Sequence, residues 1–263
     1  MEERGGRARQ PGSGEPPVQR ARRRLRLPRR RTALVVSVAL VAGGSFGAWA
    51  LYGSSWLRVE RVAVSGTRVL SEERVRTVAD IPLGEPMAGV DKDAVADRLT
   101  ERLRRIASVE VVRSWPDAVA VKVTERRPEV VLEKSSDPGK YVEVDRTGLP
   151  YATVVSRPEG VPLLVLEPES SAADRRFGAD RLRRAAVEVA SALPVAVRRD
   201  TGTIRVRSYD SITLELSGGR TVMWGSREGS GAKAEALGAL LKARGKAGHF
   251  DVSVPSAPAV AGS

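Results

Sequence analysis

Near the C-terminus one short stretch overlays two signatures of chemistry. Gly229-x-Gly231-x-x-Ala234 fits a relaxed dinucleotide fingerprint, in which glycines let the backbone approach a pyrophosphate at a helix N-terminus. Ser230-x-x-Lys233 sets a hydroxyl and an amine one helical turn apart, the spacing of the Ser-Lys nucleophile in penicillin-binding enzymes. Neither signature has its companions. A Rossmann half needs further βαβ units, and only twelve residues follow Asp251. The Lys-Thr-Gly and Ser-Asp-Asn motifs that accompany a Ser-Lys pair are missing. A glycine-rich loop opening a helix is the simpler reading of both.

Other reactive residue types are scarce. The 263 residues include no cysteine and a single histidine, His249, so a zinc site of His and Cys ligands is out of reach. A Ser-His-Asp arrangement would have to use His249, which reads more simply as a residue preceding a strand. The carboxylate pairs Glu72/Glu73 and Asp91/Asp93 sit where helices should start, and the helix dipole accounts for them there. No catalytic residue, no cofactor and no metal are therefore assigned.

The elements around these residues explain more. Eleven arginines crowd residues 4–31 against Glu2, Glu3 and Glu15, and residues 32–57 carry no charge. About 20 apolar residues of helix cross a ~30 Å hydrocarbon core, which residues 33–52 match. Basic flanks stay inside, so the tail is expected in the cytoplasm and everything after Leu57 across the membrane. Ala48-Trp49-Ala50 has the look of a signal-peptidase site, but the basic region and the apolar core are long for a cleaved signal. Trp49, Tyr52 and Trp56 fall where interfacial aromatics anchor an outer helix end. Ala39, Gly43 and Gly47 share one helix face, a pattern that permits close helix packing in membranes. The net charge of +12 is concentrated in the tail, which is rich in Pro, Gly and Arg and reads as disordered. That position suits anionic lipid at the inner leaflet, and no nucleic-acid partner is expected.

The exported part opens with a strand from Leu57 to Val64, interrupted once. Ser71 caps a short helix with Val75 and Val78 on its apolar side. Residues 81–90 form a loop, and Asp91 caps a longer helix whose stripe is Val95, Leu99, Leu103 and Ile106. Strands around Val109–Val112 and Val119–Val123 complete a β-α-α-β-β order, with helices on one sheet face and the other face free. Shorter strands follow at 129–133, 141–145, 163–166, 203–207, 212–216 and 221–224. A helix spans about 179–193, Gly218-Gly219 makes a hairpin, a last helix spans 233–242, and the chain closes with Phe250-Asp-Val-Ser-Val254-Pro255. The fold class is α+β behind one N-terminal span.

Several blocks in this order resemble the FtsQ/DivIB family of bacterial cell-division proteins. They are Val59-x-x-Val62-x-Val64-x-Gly66; Val109-x-Val111-x-x-Ser114-Trp115-Pro116 running into Val119-x-Val121-x-Val123-x-Glu125-Arg126-x-Pro128; Val144-Asp145-x-x-Gly148 with Pro162-Leu163; and Lys233, Leu237, Leu240 and Leu241 followed by residues 250–255. The resemblance implies a disordered cytoplasmic tail at 1–31, a transmembrane helix at 32–53, a POTRA domain at 56–127, a β domain at 128–255 and a C-terminal tail at 256–263. It implies a membrane-anchored divisome scaffold, not an enzyme, enriched at the division septum of the bacterial cell membrane. Its implied partners are the small coiled-coil membrane proteins of the FtsB/DivIC and FtsL type and the septal peptidoglycan synthase complex. The implied docking residues are Phe250, Val252 and Val254 on one side of the closing strand and Ser253 on the other. Pro255 and Pro258 depart from a long final strand. An anchored cell-envelope enzyme or a glycan-binding module is the competing class.

Overall fold

The computed structural model describes residues 29–53, 55–167 and 172–262. The arginine-rich tail read at 1–31 lies outside them except for its last three residues. The chain divides into two compact units, with the boundary after Gly53.

The first unit contains one helix, α1 (Arg29–Tyr52). Over Arg30–Trp49 its mean hydropathy is 1.7, and it is long and apolar enough to cross a membrane. Leu34, Val36, Leu40 and Phe46 are all exposed. A ring of bare aliphatic side chains is stable in hydrocarbon and costly in water.

The second unit begins with a three-stranded sheet. Its elements are β1 (Arg61–Ser65), α2 (Glu72–Ala79), α3 (Lys92–Arg102), β2 (Ile106–Ser114) and β3 (Ala118–Glu125), with strand order β1-β3-β2. β3 runs parallel to β1 and antiparallel to β2, so the central strand is the last in sequence. Both helices start as their side chains dictate. Ser71 Oγ accepts the Arg74 N–H at 3.2 Å, and Asp91 Oδ1 accepts from Asp93 and Ala94 N–H at 3.1 and 3.0 Å. Val75, Val78, Val95 and Leu99 then pack on Val62, Val64, Val119, Val121 and Val123. The opposite sheet face bears Ala63, Lys122 and Thr124 and is uncovered.

Two local expectations change here. Leu57 lies in a 3-10 turn (Ser55–Leu57), and the regular strand begins only at Arg61. Arg58 instead makes an isolated bridge to Pro86, and the Val59 N–H donates to Glu85 O at 2.9 Å. Ile106 is buried but belongs to β2, because α3 ends at Arg102 and the Ile106 N–H turns back to Leu103 O at 2.8 Å.

A nine-stranded sheet follows. It comprises β4 (Pro128–Glu133), β5 (Tyr141–Asp145), β6 (Pro150–Val154), β7 (Leu163–Leu166), β8 (Thr201–Ser208), β9 (Ser211–Leu216), β10 (Thr221–Gly225), β11 (His249–Asp251) and β12 (Ala259–Ala261). The order is β12-β11-β10-β9-β8-β7-β4-β5-β6. Helices α4 (Ala172–Ala192), α5 (Val195–Asp200) and α6 (Ser230–Ala243) accompany it. Leu182, Ala186 and Val189 of α4, with Leu193 just after its end, join Leu237 of α6 over Val130, Leu164, Ile204, Leu214 and Trp224. Gly218 and Gly219 sit at φ 71° and 74° between β9 and β10, a left-handed pair that only glycine adopts without strain.

The motifs that carried the resemblance join the two sheets. The Glu125 carboxylate accepts the N–H groups of Arg68, Val69 and Leu70 at 2.7, 3.1 and 3.0 Å, clamping the loop after β1. Gly66 (φ 86°) lies so close to β3 that a Cβ would fall 2.0 Å from Val123 O. Arg126 pairs with Asp145, and Arg105 Nη1 lies 2.9 Å from Glu143 Oε2 with its guanidinium 5.4 Å from the Tyr151 ring centroid. Asp145 also accepts from Thr147 N–H and Oγ1 at 2.8 and 2.6 Å and from Leu149 N–H at 3.1 Å, which shapes the turn at Gly148 (φ 80°).

Candidate interaction site at the closing strands

The predicted partner site falls on β10, α6, β11 and β12, so its residues can be placed one by one. β11 is short and runs parallel to β10, pairing Val222 with Phe250. Phe250 and Val252 are fully buried and belong to the core. The expectation of Phe250, Val252 and Val254 on one accessible side therefore changes. Val254 is 55% exposed and Ser253 is half-buried, so these two reach the surface.

Ser253 has a structural task. Asp251 Oδ1 accepts the Ser253 N–H at 2.9 Å and the Ser253 hydroxyl at 2.6 Å, turning the chain out of β11. Those bonds from the Ser253 hydroxyl and N–H hold the Asp251 carboxyl below the usual carboxylate range. Gly225 (φ 74°) lies opposite, where a Cβ would stand 3.0 Å from Ser253 Cβ.

The chain then turns, with Ala257 N–H donating to Val254 O at 3.0 Å, and comes back as β12. The sequence reads a tail at 256–263 and leaves open whether an edge strand follows Pro255; the structure has one at Ala259–Ala261. Pro255 and Pro258 end one strand and delay the next without preventing it, since both fall in the turn. β12 pairs antiparallel with β11, setting Phe250 against Val260 and Asp251 against Ala259. Its other side is an edge of the sheet. Ala259 and Ala261 are exposed there and Val260 packs inward against the core. No charged residue interrupts the edge, so its unpaired N–H and C=O groups form a template for an added strand.

The two chemical signatures are satisfied internally. Gly229 (φ 66°) begins α6. Lys233, a residue only 2% exposed, fills the loop by donating from its ammonium to Ser226 O at 2.8 Å, and burial pushes its pKa down. The Ser230 hydroxyl donates to Arg227 O at 2.6 Å and accepts from Trp224 Nε1 at 3.3 Å. Ser230 and Lys233 thus brace the β10–α6 loop through separate partners. Among the described residues no group of three or more His, Cys, Asp or Glu could hold a metal ion.

In α1, Ala39 and Gly43 are exposed and Gly47 is half-buried; a Cβ on either glycine would meet nothing within 4 Å.

Residues 57–126 match the family model described as POTRA domain, FtsQ-type. The cell division protein FtsQ of Streptomyces bingchenggensis is 59% identical over 241 residues, covering 92% of this chain and 90% of its own length. That of Streptomyces coelicolor is 53% identical over 267 residues, covering 99% and 97%. Among solved structures, the major extracytoplasmic domain of DivIB from Geobacillus stearothermophilus aligns with 47% of this chain and 97% of its own length, at 16% identity and a TM-score of 0.33. Similarity this high along nearly the whole sequence places the chain in the FtsQ family of bacterial cell-division proteins.

Proposed function

We propose that this chain is a single-span scaffold of the division machinery. In this reading its N-terminus is cytoplasmic, and its POTRA domain (56–127) and β domain (128–255, with β12 added) lie outside the membrane. It recruits partners at the septum and performs no catalysis itself. The observation that carries the reading is the edge of β12, which follows the exposed Val254 and closes one end of the large sheet. A short extended segment of a coiled-coil membrane partner of the FtsB/DivIC or FtsL type adds there by main-chain hydrogen bonding. A neighbouring side chain rests on Val254 and sets register. Held in this way, the partner links the scaffold to the septal peptidoglycan synthase complex. In the membrane, the open face of Ala39, Gly43 and Gly47 gives partner spans a surface for close approach.

The test is Val254→Glu. Val252, the alternative target, lies in the core, and a charge there would unfold the sheet before it reported on binding. Val254→Glu leaves the fold intact and abolishes co-purification of the coiled-coil partner from dividing cells. Undiminished co-purification would move the site away from this edge.

A further inference from the structure

One end of the small sheet carries an apolar surface that the partner site does not use. β1 and β3 run parallel, so the start of β1, the start of β3 and the end of β2 lie together. The β2–β3 turn at this end exposes Trp115, which is 50% accessible. The loop holding Leu83, 66% accessible, is tied to the same place. Gly84 N–H donates to Val59 O at 2.8 Å and Arg58 Nη1 to Gly84 O at 2.6 Å, while Glu60 N–H donates to Asp117 O at 2.8 Å. Trp56, 83% accessible, stands at the head of this segment. The β domain leaves from the opposite end of β3, about 25 Å away at ~3.3 Å per strand residue.

We propose that Trp56, Leu83 and Trp115 form a membrane-contact surface that inserts into the headgroup region of the outer leaflet. The proposal rests on α1 spanning the bilayer. Trp56 follows Tyr52 by four residues, so the intervening chain reaches at most ~14 Å. That tether holds this end of the domain within reach of the lipid surface. Tryptophan suits that depth, with an apolar ring and a polar N–H at a boundary that is wet on one side. Arg58 and Arg61 border the surface, but so do Glu60, Glu85 and Asp117, the last paired with Arg61, so it carries no basic excess. Aromatic and aliphatic insertion carries the contact, and lipid charge is secondary.

Because the chain has no cysteine, single-site labelling is clean. The full chain is reconstituted in vesicles of phosphatidylethanolamine and phosphatidylglycerol with an environment-sensitive fluorophore on Leu83→Cys or Trp115→Cys. Leu40→Cys within α1 and Ser135→Cys in the β4–β5 turn serve as references. The proposal expects blue-shifted emission at 83 and 115, with most of it lost to quenchers near the lipid headgroup, and the same behaviour in phosphatidylcholine at high salt. Residue 135 stays water-like. Water-like emission at 83 or 115 while residue 40 stays blue-shifted and out of reach of the headgroup quenchers would overturn the proposal and leave the span intact. Water-like emission at residue 40 would remove the span and the proposal together.

Discussion

Phe250 and Val254 are four residues apart and sit in opposite environments. Phe250 is fully buried among residues of the large core, whereas Val254 is 55% exposed. Phe250→Ala should cost ~3–5 kcal/mol by transfer and cavity terms. Val254→Glu should stay within about 0.5 kcal/mol, as surface substitutions do. Urea unfolding of the two variants measures both. The junction residues add a pH dependence. Burial opposes ionisation of Asp145, but hydrogen bonds from the Thr147 hydroxyl, Leu149 N–H, Arg126 and Thr147 N–H outweigh it and lower its pKa. Glu125 is lowered likewise, burial being outweighed by the N–H groups of Arg68, Leu70 and Val69. Both groups bind protons more weakly when folded than the ~3.9 and ~4.3 of free Asp and Glu. Their stabilisation is present above those values and is lost as pH falls through the folded pKa. The thermal midpoint should therefore hold from neutral pH to about 5 and fall below about 4, and Asp145→Asn should lower the plateau and flatten the fall.

Among the elements, β12 is the one on which the proposed docking rests and the one least visible in sequence. Ala259-Val260-Ala261 is too short to show alternation, and Pro258 before it reads as a break. What makes it a strand is the pairing of Val260 with Phe250, which brings Val260 onto the core. The same blindness hid β6, which opens at Pro150, and α5, which has six residues and no side-chain cap. In contrast, Ser71, Asp91, the valines of β3 and the alternation of β9 were legible because capping and burial act locally. The docking residues proposed at 250–254 came from the resemblance, and burial divides them between core and surface, a division that only the fold supplies. A pair of charges on the edge should act as edge charges do elsewhere. Ala259→Lys with Ala261→Lys should leave the thermal midpoint within a few degrees and weaken partner binding at least tenfold, about 1.4 kcal/mol, by calorimetry or surface capture.

Across the whole molecule, charge and hydropathy set direction. Eight of the eleven tail arginines precede α1 and three open it, and the folded sheets follow it. In the proposed reading the division role falls to domains that offer backbone edges to neighbours, and Ser230 and Lys233 brace the β10–α6 loop. Site-specific photo-crosslinking in dividing cells tests this most directly, with the reactive group placed singly at Val254 and Ala259, at Thr153 on the opposite sheet edge, and at Lys122 on the open face of the small sheet. The account predicts adducts from Val254 and Ala259 whose captured peptide belongs to a small single-span coiled-coil division protein, and none from Thr153. Adducts to that protein from Lys122 or Thr153, with Val254 and Ala259 silent, would contradict it.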